Sequence, residues 1–91
     1  MPATTPDELR HAAHALEQQA EEVRRAVRGL LDLTGPSTWA GGAPRRLTDE
    51  LEQGVHLAQR AADQLDADAA TVRTRAGELQ RAQALSSLPP A

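Results

Sequence analysis

Residues 5–33 read TPDELRHAAHALEQQAEEVRRAVRGLLDL, and this stretch decides the fold class. Thr5 and Glu8 form a Thr-x-x-Glu capping box, in which each side chain reaches the other residue's backbone N–H. Pro6 suits the first helical position, and Asp7 favours the positive end of the helix dipole. Beyond that start, apolar residues fall at Leu9, Ala13, Leu16, Ala20, Val23, Val27 and Leu30. The steps alternate four and three without exception, which is the heptad seam of a helix packed on other helices. Gly35 fits a C-terminal cap and Pro36 cannot continue a helix, so helix 1 is expected over about 6–33.

Downstream the same pattern returns. Leu51, Val55, Ala58, Ala62, Leu65, Ala69, Val72, Ala76 and Leu79 again step by four and three, and Leu47 extends their face by one turn. Helix 2 is expected to begin at Pro44, which is tolerated only in a first turn. Thr48, followed by Asp49 and Glu50, offers an alternative start. The far end is expected near residue 85, where Ser86, Ser87, Pro89 and Pro90 open a short disordered tail. Residues 34–43, TGPSTWAGGA, are the one strong break mid-chain, and nothing alternates as a β-strand would.

Two long helices about a ten-residue break imply an all-α, antiparallel helix–turn–helix hairpin, a single domain over 1–91. Folding about the centre of the break would bring Arg24, Arg25 and Arg28 near Asp49, Glu50 and Glu52. It would also bring Asp7 and Glu8 near Arg73 and Arg75. Such surface pairs stabilise little, but they oppose the alternative topology. The expected helix–helix interface is Leu9, Leu16, Val23, Val27 and Leu30 against Leu47, Leu51, Val55, Ala62, Leu65, Ala69, Val72 and Leu79. Ala12, Ala26, Leu31 and Leu33 widen the stripe of helix 1, and Leu57 and Ala61 that of helix 2. A lone hairpin leaves such flanks uncovered, and a four-helix bundle of two hairpins would bury them.

Composition points the same way. The chain has 91 residues, no Cys, and Trp39 as its sole aromatic, so any core is built from Leu, Val and Ala with no disulfide to reinforce it. Small scaffolds without such staples usually associate to bury more surface. A net charge of −3 with both signs dispersed argues against a nucleic-acid partner. No apolar run approaches the ~20 residues of a transmembrane segment, and no basic start followed by an apolar stretch suggests a cleaved signal peptide. All ten basic residues are Arg, while Lys, Ile, Asn, Phe and Tyr are absent. Those five have AT-rich codons, which implies a GC-rich gene, as in many actinobacteria.

Chemistry has few candidates. His11, His14 and His56 are the available imidazoles, and the first two point away from the seam, so they read as surface residues with no metal site. Asp63, Asp66 and Asp68 read as a solvated acidic face. With no nucleophile–base pair and no cavity expected in a slim hairpin, neither an enzyme nor a cofactor is expected.

The remaining feature is Trp39-Ala40-Gly41. A Trp in a turn can pack over the ends of both helices, with Gly41 and Gly42 freeing the backbone to reverse. The tripeptide also lies near mid-chain between two heptad helices, and there the sequence resembles the WXG (ESAT-like) family of small type VII secretion substrates. Trp39 and Gly41 match the W-x-G motif, Leu47 falls where members often carry a large apolar residue, and the longer second helix agrees. The resemblance implies a homo- or heterodimer with a WXG-like chain, forming a four-helix bundle. It also implies contact with the type VII secretion machinery, and secretion without a cleaved signal peptide from a cytoplasmic precursor. Members with an export signal usually end helix 2 with Tyr-x-x-x-Asp/Glu, and this chain has no Tyr. It therefore corresponds to the partner that supplies Trp39 and Gly41 alone. The alternatives are an intracellular helical adaptor or chaperone for a larger secreted partner or toxin, and an unrelated antiparallel coiled-coil scaffold.

Overall fold

The computed structural model describes residues 4–33 and 45–89. Two helices account for nearly all of them: α1, Pro6–Leu33, of 28 residues, and α2, Arg45–Ser86, of 42. Among the described residues there is no strand. Gly35, Pro36, Trp39, Gly41 and Pro44 lie outside the described residues.

The start of α1 is fixed by local chemistry. The Glu8 N–H donates to the Thr5 hydroxyl at 3.1 Å, and the Thr5 N–H donates to a Glu8 carboxylate oxygen at 3.1 Å. The Leu9 N–H reaches the Thr5 carbonyl at 3.1 Å, closing the first turn. α1 is helical through Leu33, the last residue described before the break. At the second start Arg45 is already helical, so Thr48 lies inside α2 and is not its cap. α2 ends at Ser86, next to the expected limit, and a hydrogen-bonded turn follows it. There Ser87 N–H donates to Gln83 O at 3.1 Å, and Leu88 N–H to Leu85 O at 3.4 Å.

α1 and α2 pack along their lengths as an antiparallel hairpin. Three cross-helix pairs set the register: Arg10 with Gln80, Glu17 with Arg73, and Arg24 with Asp66. Each step of seven along α1 is a step of seven backwards along α2. This corrects the expected charge register, in which Arg24 faced Asp49–Glu52 and Arg73 faced Asp7 and Glu8. The chain does not fold about the centre of the break. α2 is fourteen residues longer than α1, and its first turns run past the end of α1.

The buried residues are Ala13, Ala20 and Val27 on α1 and Ala62, Ala69 and Ala76 on α2, each set spaced by seven. In the register above they meet as Ala13 with Ala76, Ala20 with Ala69, and Val27 with Ala62. Small side chains at each layer let two backbones approach closely, but they bury little apolar area. No large side chain is fully buried among the described residues. The molecule measures 77 × 23 × 16 Å, two helices wide and one helix thick. No described helix is long and apolar enough to cross a membrane.

Two glycines interrupt helix interiors without a steric reason inside the hairpin. A Cβ added at Gly29 or Gly54 would meet nothing within 4 Å. Gly54→Ala should therefore stabilise the isolated hairpin by about 1 kcal/mol through backbone entropy. Chemical denaturation at low protein concentration measures this. A loss of stability would show that the backbone at Gly54 is not the relaxed helix described.

Candidate functional site

The two edges of the alanine seam differ in chemistry. At 100° per residue, Leu9, Leu16, Val23 and Leu30 fall about 50° to one side of the Ala13–Ala20–Val27 line. Arg10, Glu17, Arg24 and Leu31 fall about 50° to the other side. On α2 the same offsets place Leu51, Ala58, Leu65, Val72 and Leu79 on one side of the Ala62–Ala69–Ala76 line. Asp66, Arg73 and Gln80 lie on the other. The register brings like edges together, so the hairpin has an ionic flank and an apolar flank.

The ionic flank centres on Arg24. Its guanidinium is 2.9 Å from Asp63 Oδ1 and 2.7 Å from Asp66 Oδ2, and Glu21 lies 3.9 Å away on the same helix. The hydrogen bond to Asp63, followed by that to Asp66, raises the Arg24 pKa above the ordinary arginine value. Asp63 and Asp66 had read as a solvated acidic face. They remain solvated, with side chains 74% and 43% exposed, and being three apart on α2 both also reach one point on α1. The sequence holds the spacing, but only the register reveals which arginine stands between them. Asp68 is exposed and accepts a hydrogen bond from Gln64 at 2.9 Å.

The apolar flank holds most of the residues expected at the interface. Leu9, Leu16, Val23, Leu51, Val55, Leu65, Val72 and Leu79 are half-buried. Val27, Ala62 and Ala69 are buried in the seam, whereas Leu30 and Leu47 are 40% and 46% exposed. One continuous stripe in sequence is therefore two features in space: an alanine seam within the hairpin, and a Leu/Val strip beside it. Near the end of α1 the strip opens into an apolar notch of about 250 Å³, lined by Val23, Ala26, Val27, Leu30, Gly54, Val55 and Ala58. Ala12, Ala26, Leu31, Leu57 and Ala61 are exposed. The side chain of Leu33, like Trp39 and Gly41, lies outside the described residues.

No protein-family model matches the chain, and no curated protein or solved structure is significantly similar to it. His11, His14 and His56 are exposed, and no group of three metal-ligating side chains occurs among the described residues. Among the described residues, one further groove mixes Arg24, Arg28, Gln59 and Asp63 with Val27 and Leu31, and another is lined by polar and charged side chains from His14 to Arg25. What this surface offers is a half-covered strip of branched aliphatic side chains on a rigid helix pair, which suits docking of another helix.

Proposed function

We propose that the protein works by helix–helix pairing, as a WXG-like component acting with a type VII secretion system. The observation that carries the pairing is the Leu/Val strip along a hairpin whose own seam is nearly all alanine. Ordering a residue costs roughly 1–2 kcal/mol in backbone entropy, and alanine layers return little of it. Covering the strip with a second helix pair adds the larger side chains to a core and completes a two-layer bundle. The secretion half of the reading is supported by sequence: Trp39 and Gly41 near mid-chain, the helix–break–helix layout and the longer α2.

The test is secretion from cells with and without a functional type VII system, each with and without a neighbouring small helical gene. Export that needs both is the expected result. Trp39→Phe, which keeps an aromatic side chain, should leave helicity and pairing intact while export falls severalfold. Appearance in the medium regardless of the system would overturn the secretion reading. Pairing without export would favour the intracellular adaptor. Equal export of wild type and Trp39→Phe would make Trp39 an ordinary packing residue.

A further inference from the structure

The apolar layers of the hairpin do not by themselves fix how far α2 is slid along α1. The seam meets as Ala13 with Ala76, Ala20 with Ala69, and Val27 with Ala62. The strip beside it meets as Leu9 with Leu79, Leu16 with Val72, Val23 with Leu65, and Leu30 with Ala58. Sliding α2 by one heptad would keep all of these positions apolar. The seam would become Ala13–Ala69, Ala20–Ala62 and Val27–Val55, and the strip Leu9–Val72, Leu16–Leu65, Val23–Ala58 and Leu30–Leu51. The two sets are alike in size, because both stripes repeat every seven residues. The connection does not choose between them either. Leu33 stands level with His56, so residues 45–55 of α2 run past it by roughly 17 Å, an overhang that the slipped register shortens by two turns. The eleven residues 34–44 can reach up to roughly 36 Å, which is enough for both.

The ionic flank does distinguish the two registers. Glu17 pairs with Arg73, and Arg24 pairs with Asp63 at 2.9 Å and with Asp66 at 2.7 Å. In the slipped register Arg10 would face Arg73, and Glu17 would face Asp63 and Asp66. Three attractive contacts would be exchanged for three repulsive ones. Two attractive pairs would come back, Asp7 with Arg73 and Arg28 with Glu52, which are the pairs expected from folding about the centre of the break. They do not restore the balance. Sliding α2 the opposite way would set Arg24 against Arg73 and bring Gln83 level with Ala13 in the seam. Each surface pair is weak, but weak pairs decide where the apolar layers are nearly equal in both registers.

We propose that the hairpin has two registers of equivalent apolar packing, one heptad apart, and that Arg10, Glu17, Arg24, Asp63, Asp66 and Arg73 form a charge key that admits only the observed one. They are positioning residues: they bind nothing themselves, and they decide which side chains of α1 and α2 stand together. The key also shapes the apolar flank. Its notch is lined by Leu30 and Ala58, among others, and exists because a small side chain faces Leu30. In the slipped register Leu51 would take the place of Ala58 beside Leu30 and fill that space. The inference concerns the single hairpin and does not depend on pairing with another chain.

The chain has no cysteine, so disulfide trapping can read the register directly. A chain carrying Ala20→Cys, Ala62→Cys and Ala69→Cys lets position 20 choose. A 20–69 link reports the observed register and a 20–62 link the slipped one, while positions 62 and 69 are two turns apart on one helix and too far to link. Oxidation in a thiol buffer at low protein concentration, followed by peptide mapping, gives the ratio. At ~50 mM salt the 20–69 link should exceed the 20–62 link by about tenfold, an excess that shrinks at ~0.5 M as screening grows. Adding Asp63→Arg/Asp66→Arg/Arg73→Glu makes the observed register repulsive and the slipped one attractive, so the 20–62 link should predominate. Adding Glu17→Arg/Arg24→Glu to that chain pairs the observed register again, and the 20–69 link should return, with circular dichroism following helicity throughout. A 20–69 link that dominates in all three backgrounds, or equal links in the first at low salt, would overturn the proposal. If the threefold exchange unfolds the chain, the fivefold exchange still decides: recovery of both helix and the 20–69 link supports the key, and failure to recover them overturns it.

Discussion

Replacing Ala69 with Leu should destabilise the hairpin by about 1–3 kcal/mol. Ala69 is 1% exposed and meets Ala20, which is 0% exposed, so three added carbons have nowhere to go unless the helices separate. Separation at that layer also loosens the layers on either side, Val27 with Ala62 and Ala13 with Ala76. Ala62→Leu should behave alike, for Ala62 is equally buried. The control is Thr74→Leu. Thr74 is exposed and its hydroxyl bonds only to the Ala70 carbonyl of its own helix, at 3.0 Å, so this change should stay within about 0.5 kcal/mol. Urea unfolding at low protein concentration measures all three. Equal effects would mean that the seam is not where the alanines are.

The largest effect on association is expected at the apolar flank. Leu65→Asp combined with Val72→Asp places two carboxylates in the strip without touching the alanine seam. Both parent side chains are half-buried, so the hairpin can turn the new carboxylates toward water and keep its helicity. A docked helix removes that escape, and an unpaired buried charge is costly enough to force the pair apart. Association should weaken at least a hundredfold, read as a shift from dimer to monomer by light scattering behind a sizing column. Export should fall with it if pairing precedes secretion. A variant that still pairs at wild-type strength would locate the interface elsewhere, with the ionic flank around Arg24 the next surface to test.

Much of this molecule is written locally. The Thr5–Glu8 box and Pro6 act within a few residues of where they stand, so the start of α1 is legible without knowledge of the rest of the chain. α2 is helical from Arg45, the first described residue after the break, which rules out the alternative start at Thr48. The all-helical class follows from the four–three spacing, because no other local structure keeps those residues on one side.

What the tertiary structure alone decided is which part of the stripe faces inward, and against what. A heptad stripe is wider than a single contact line, so sequence cannot tell whether the alanines or the leucines occupy its centre. The centre is chosen by both helices at once. Charged side chains at equivalent offsets on α1 and α2, Glu17 with Arg73 and Arg24 with Asp66, meet across the seam and draw the contact toward their edge. Alanine then lies at the closest approach, and the leucines and valines are left along the opposite edge. The register has the same origin. Placing Asp63 and Asp66 on Arg24 requires knowing where the chain turns, and local sequence rules do not give that distance. The sequence by itself determined two helices and the start of the first; only their packing separated a thin alanine seam from the apolar face left beside it.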